Sequence, residues 1–315
     1  MKRLFTLFAA LLLATATLHA IEEDIALHTP TGDIHGKLML PDDSTLPCPV
    51  VLIIAGSGPT DMNGNSIGTT MTNNSLLYLA KELAAAGIAT VRYDKRGIGK
   101  STAAGSKEEE LRFDHYIDDA VAWADKLTGD TRFNKVVIAG HSEGSLIGMV
   151  AATRCKAVKA YVSIAGCGSP AYEILEKQLQ SQPMQIQQES AAICKELREG
   201  RTVKQVPFYL SALYRQSVQP YLISWFAYNP AVEIAKLNIP VLILQGDKDI
   251  QVGTEEADKL YAAQPAATLH IIKDMNHVLK HCDTMQLMAQ LATYNNPELP
   301  INPELISHIV EFIMK

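Results

Sequence analysis

Residues 135–152 limit what this chain can fold into more than any others. Lys135-Val136-Val137-Ile138-Ala139 is a short apolar, β-branched run suited to a buried strand. Ser145-Leu146-Ile147-Gly148-Met149-Val150-Ala151-Ala152 suits a buried helix. Only Gly140-His141-Ser142-Glu143-Gly144 lies between them. So sharp a corner needs glycines, which leave room for one stretch of backbone to approach another. The turn forces Ser142 into strained backbone angles and stands its hydroxyl clear of the sheet. The helix N-terminus then points partial positive charge at it. G-x-S-x-G in this setting predicts a nucleophilic Ser142.

Apolar strands alternate with helices along most of the chain. Ile25–His28 and Ile34–Leu40 read as a hairpin around Thr29-Pro30-Thr31-Gly32-Asp33. Further strands are expected at Val50–Ile54, Ile88–Tyr93, Lys135–Ala139, Ala157–Ile164, Pro240–Leu244 and Thr268–Ile272. Helices are expected at Leu76–Ala86, stopped by Gly87, at His115–Leu127 and at Ile301–Met314. This alternation predicts a mostly parallel sheet of eight strands with helices on both faces. Residues 169–234 break it: the segment is rich in Gln, Glu, Leu and Tyr and has no clear strand. It is expected to be a helical cap insertion over the C-terminal edge of the sheet.

A serine hydroxyl needs a base within hydrogen-bond reach and a group to orient that base. Sites built on such an elbow run serine, acid, histidine along the chain. The acid expected is Asp249, three residues beyond Gly246 in Val241–Val252. Its rival Asp247 directly follows the glycine and suits a turn instead. The base expected is His277, in Lys273-Asp274-Met275-Asn276-His277, five residues past the last strand. His281 is the alternative, and His270 lies within the strand. An oxyanion needs two fixed N–H donors. The backbone amide of Glu143 is one. The other is expected from Ala55-Gly56-Ser57-Gly58-Pro59-Thr60-Asp61, best from Ser57. Each residue also has an ordinary reading as a turn former, a cap or a packed core residue. What favours chemistry is the three types occurring in order at strand ends. Tyr93–Ser101 is a second glycine-rich loop, but it lacks the G-x-x-x-x-G-K-[ST] spacing of a phosphate cradle. Asp94 and Arg96 are expected to pin it beneath the site.

Residues 1–20 resemble an export leader. Lys2 and Arg3 precede an apolar Leu4–Ala14, with small residues at Ala14-Thr15-Ala16 and Leu18-His19-Ala20 for cleavage. That core is too short to span a bilayer comfortably, so a periplasmic or secreted protein is expected, with no membrane span in the mature chain. The remaining residues, 21–315, suit one domain. Of the 315 residues 47% are hydrophobic and 20% charged, with net charge −6. No basic run occurs, which argues against nucleic acid as a partner. The five cysteines are scattered without zinc-like spacing, so no metal or cofactor is implied. A Cys155–Cys167 or Cys194–Cys282 bridge stays open, beside the simpler reading of small buried residues.

Taken together, G-H-S-E-G-S, D-K-R-G-x-G-x-S, G-D-K-D and M-N-H resemble the α/β-hydrolase superfamily. A-G-S-G-P-T-D-x-N-G-N beside the elbow is similar to a group of bacterial carboxylesterases acting on short acyl esters. Met62 departs from the polar residue usual in that loop. The resemblance implies an α/β-hydrolase fold, with Ser142, Asp249 and His277 as the triad and Ser57 and Glu143 as oxyanion donors. It also implies a small-molecule ester substrate. A serine peptidase or aminopeptidase, or a thioesterase, could use the same fold, and a non-catalytic binding protein is the reading from another class. Trp225, Phe226, Tyr221, Tyr228, Tyr209 and Phe208 are candidates to line a pocket or simply to pack the insertion.

Overall fold

The computed structural model describes residues 20–41 and 46–315; the expected leader lies outside the described residues but for its last position. β1 (Ile21–Thr29) and β2 (Gly32–Leu40) form the antiparallel hairpin. Then come β3 (Cys48–Ile54), β4 (Ala89–Tyr93), β5 (Phe133–His141), β6 (Val158–Ile164), β7 (Val241–Gly246) and β8 (Thr268–Ile272). They form one eight-stranded sheet in the order β1-β2-β4-β3-β5-β6-β7-β8. β2 meets β4 antiparallel, and every pairing from β4 to β8 is parallel. This is the α/β-hydrolase arrangement expected from the motifs.

The buried strands divide their side chains between two faces, as the two-residue period of a strand requires. On β3, Val50, Leu52 and Ile54 point to one core, while Val51 and Ile53 point to the other. The first face is covered by α2 (Phe113–Thr128) and α3 (Glu143–Arg154). The second is covered by α1 (Ser75–Ala85) and the C-terminal helix Pro303–Met314. Helix α1 ends at the expected glycine: Gly87 takes φ +82°, and its N–H donates to the Ala84 carbonyl at 3.0 Å. The C-terminal helix starts two residues later than expected. The Asn302 side chain caps it by accepting the Glu304 N–H at 3.0 Å, with Pro303 next.

Between β6 and β7 the chain forms α4 (Ala171–Gln178), α5 (Met184–Arg198), α6 (Ser211–Tyr214), α7 (Gln219–Phe226) and α8 (Pro230–Ile234). Two helices were not legible in the sequence: α9 (Thr254–Ala263) and α10 (Leu287–Tyr294), which precede α11 (Pro303–Met314).

The strand order reverses at β3. The chain steps from β3 to β4 on one side, then crosses back to lay β5 on the other. Loops leaving the C-terminal ends of β3 and β5 therefore diverge and open a crevice between them. Leu52 is fully buried at the centre of this arrangement. Leu52→Ala should cost about 2–5 kcal/mol of stability, measurable by urea unfolding.

Candidate active site

Ser142 sits at the corner between β5 and α3, with φ 55° and ψ −120°. A non-glycine residue held there stores backbone strain. The surroundings enforce it: a Cβ on Gly140 would lie 2.1 Å from the Gly144 carbonyl oxygen, and one on Gly144 would lie 2.3 Å from that of Ile54. Both positions exclude any side chain. Glu143 is the first residue of α3, so its N–H is one of the donors that a helix leaves without an internal partner.

The structure brings two of the sequence candidates into direct contact. Asp249 Oδ2 lies 2.7 Å from His277 Nδ1, and both residues are buried. A carboxylate can only accept, so Nδ1 carries the proton and Nε2 is left as the free base. Asp249 Oδ1 accepts the Gln251 and Val252 N–H groups at 2.8 and 2.9 Å, and Oδ2 also accepts from Gln245 Nε2 at 3.1 Å. Burial pushes the Asp249 carboxyl up, but the His277 ring and these N–H donors outweigh it and hold the group below the usual carboxylate range. Asp247 is engaged elsewhere. Its Oδ1 accepts the Asp274 N–H at 2.6 Å, and Lys248 pairs with it at 3.0 Å, so it ties the β7 loop to the β8 loop. His281 is exposed, and His270 stacks on His308 of α11 at 3.7 Å.

A residue that sequence reasoning passed over links this pair to the elbow. His141, immediately before Ser142, donates from Nε2 to the His277 carbonyl at 2.8 Å, and the two rings lie 4.9 Å apart. The carbonyl can only accept, which fixes the His141 tautomer. Its signal was a titratable side chain just past the apolar run Val136-Val137-Ile138-Ala139.

The loop after β3 packs directly on the elbow: a Cβ on Gly56 would lie 3.2 Å from the Ser142 Cβ. Ser57 follows, exposed, on the rim of the same cavity as Ser142. Asp94 fastens this loop to the neighbouring one, accepting the Met62 N–H through Oδ1 and the Lys100 N–H through Oδ2, both at 2.8 Å. Met62 is thus used through its backbone. Arg96 pairs with Asp119 at 2.5 Å and donates to the Ala104 carbonyl at 2.9 Å. Lys95, between them, pairs with Glu143 at 2.8 Å, and both side chains are almost wholly buried. Asn63-Gly64-Asn65 forms a turn in which Asp61 Oδ1 accepts the Asn63 and Asn65 N–H groups, each at 2.8 Å.

Ser142 opens into a cavity of about 480 Å³ between these loops and the helices of residues 171–234. Its walls are largely apolar, with Leu146, Ile174, Leu213, Leu222, Tyr221 and Trp225 among them. Of the other aromatic candidates, Phe226 packs on Tyr172 and Tyr228 on Phe113, while Phe208 and Tyr209 are exposed. Glu108 and Arg215 also line the cavity and form a two-pronged ion pair in its wall, joined by the Ser217 hydroxyl. All five cysteines are free thiols. Among the described residues no cluster of His, Cys, Asp and Glu is arranged to hold a metal ion.

Burial, followed by the neighbouring His277, drives the His141 pKa down to about 3 from an ordinary 6.5. The unfolded chain therefore binds a proton near pH 6 that the folded chain refuses. Stability should fall as pH drops from 6.5 toward 3, by up to about 1.4 kcal/mol per pH unit from this group. His141→Gln keeps a donor for the His277 carbonyl and should flatten the slope. Urea unfolding at pH 7 and pH 5 should show the wild type losing about 2 kcal/mol more than the variant.

Comparison with known proteins shows the family and the fold. Esterase EstD of Thermotoga maritima is 27% identical over 268 residues, covering 82% of this chain and 60% of its own. The chain thus spans less than two thirds of that relative. Est1E from Butyrivibrio proteoclasticus shares the fold at 17% identity and a TM-score of 0.59, covering 93% of this chain and 99% of its own. A puromycin-hydrolyzing peptidase of Mycobacterium tuberculosis does so at 16% identity and a TM-score of 0.58, over 93% of this chain and 40% of its own. The family model described as serine aminopeptidase, S33, matches residues 68–281. With more than half of its length matched, the chain belongs to that family of hydrolases in the α/β-hydrolase superfamily.

Proposed function

We propose that the protein is a serine carboxylesterase that cleaves short acyl esters through an acyl-enzyme on Ser142. The observation that carries this reading is the buried Asp249–His277 pair at 2.7 Å, on a loop hydrogen-bonded to the residue before Ser142. His277 takes the serine proton as Ser142 attacks the ester carbonyl. The Ser57 and Glu143 N–H groups receive the charge that develops on the carbonyl oxygen. The alcohol departs with the proton from His277, and water releases the acyl group by the same route. Asp249 keeps the imidazole in its useful tautomer and stabilises the charged form. The mechanism calls on no metal or cofactor.

The cavity favours esters over peptides with a free amino end. An α-ammonium group wants an unpaired carboxylate. The two carboxylates in the cavity wall are both committed, Glu143 to Lys95 and Glu108 to Arg215. Largely apolar walls suit a neutral acyl chain instead. The names of EstD and Est1E support the same choice, while the family description keeps amide cleavage as the competing activity. Residues 1–20 support a further proposal, that the mature protein is exported to the periplasm or beyond; N-terminal sequencing of material from the native host tests it.

Hydrolysis of p-nitrophenyl esters from acetate to decanoate, run beside aminoacyl p-nitroanilides, tests the function. Ester turnover should peak at short chains and exceed anilide turnover. Anilide turnover without ester preference would make this a peptidase. A folded protein that ignores both, and also a phosphonate probe, would be a binding protein. Ser142→Ala should lower kcat by about 10⁴–10⁶-fold and Asp249→Asn by about 10⁴-fold. Asp247→Asn should leave kcat within about threefold; equal losses at 247 and 249 would sink the acid assignment.

A further inference from the structure

Lys95 belongs to the D-K-R-G motif and has no part in the mechanism above. It follows β4, in a side chain 1% exposed. Gly56 follows β3 and Glu143 follows β5. Because β4, β3 and β5 are consecutive in the sheet, their three C-terminal ends lie side by side. The Lys95 ammonium donates to the Gly56 carbonyl at 2.6 Å and to Glu143 Oε1 at 2.8 Å, and lies 4.8 Å from the centre of the Tyr116 ring. One buried charge thus holds both segments that carry the proposed oxyanion donors.

The Gly56 contact has a specific consequence. The Gly56 C=O and the Ser57 N–H belong to one planar trans peptide unit and point in opposite directions. Fixing the carbonyl therefore fixes the N–H. The Lys95 ammonium is the hydrogen-bond partner of that carbonyl, and Ser57 is exposed between two glycines, which resist peptide rotation less than other residues do. At the other donor, the ion pair anchors the Glu143 side chain at the first position of α3.

We propose that Lys95 is the positioning residue of the oxyanion hole: its ammonium, clamped between the Gly56 carbonyl and the Glu143 carboxylate, holds the Ser57 N–H toward the reacting carbonyl. The inference rests on the esterase reading of Ser142, Ser57 and Glu143. Lys95 touches no reacting atom, and its effect passes through the Gly56–Ser57 peptide.

The test compares Lys95→Met/Glu143→Gln, which removes the ammonium without stranding a buried carboxylate, with Glu143→Gln alone, which leaves the ammonium on Gly56. Thermal melts establish that each is folded. With p-nitrophenyl butyrate, the double variant should lose about 10²-fold in kcat with KM within about twofold. Its affinity for a trifluoromethyl ketone, which binds as a tetrahedral oxyanion, should fall by the same factor as kcat/KM. Glu143→Gln, which keeps the ammonium on Gly56 and the residue-143 N–H in place, should lose clearly less than the double variant on both readouts. The inference is overturned if the double variant keeps kcat within about threefold, or loses kcat while holding the ketone as tightly as the wild type. Should the double variant melt below the assay temperature, both readouts are taken at a temperature below its melt, and the same thresholds decide. A Ser142→Ala variant that retains turnover would remove the esterase reading itself, so the two failures are distinguishable.

Discussion

The close approach of α3 to the end of β3 governs the rest of the molecule. Gly144 lies so near the Ile54 and Ala55 carbonyls that a methyl group there would overlap both. Backbone, not side chain, sets the distance between the elbow and the loop after β3. Everything at the site inherits that spacing: the left-handed angles of Ser142, the packing of Gly56 against it, and the reach of Lys95 to Gly56 and Glu143 at once. A helix packed one side chain further out would leave each of these contacts too long to form.

Around the candidate site, buried charge is answered by nearby partners. Lys95 and Glu143 neutralise each other, and the Asp249 carboxylate accepts from His277 and three further donors. Isolated buried charges cost far more than paired ones, and breaking a pair costs more than replacing it whole. His141 follows the opposite course: burial keeps its ring neutral, and it serves as a directional hydrogen-bond donor. The site thus combines fixed charge with fixed dipoles, an arrangement that needs no reorganisation when charge moves during a reaction.

The parallel strands and the elbow were legible because their residues are patterned locally: β-branched runs that end in glycine. Chain order pointed to Asp249 and His277, which lie in contact. Helix α10 was illegible because its pattern is inverted, exposing Leu287 and Met288 while burying Gln290 and Tyr294. Helix α9 buries only Glu256, Ala257 and Leu260, too short a stripe to stand out from its charged neighbours. Lys95 could not be matched with Glu143 from sequence. Their meeting depends on β4, β3 and β5 being adjacent, and no local periodicity records strand order. The same is true of Glu108 with Arg215, which meet across 107 positions.

That last pair separates the two walls of the cavity in a way the buried pair does not. The Arg215 and Glu108 side chains are 48% and 37% exposed, whereas those of Lys95 and Glu143 are 1% and 2%. Dissolved ions weaken interactions between exposed charges, over a Debye length of about 10 Å at 0.1 M salt, and affect buried pairs far less. The roof of the cavity is therefore tethered by a bond that the ionic strength of the medium can slacken. The floor, where the serine stands, is tethered by one that it cannot. The Lys95–Glu143 pair thus keeps its hold over a range of salt in which the exposed Glu108–Arg215 pair weakens.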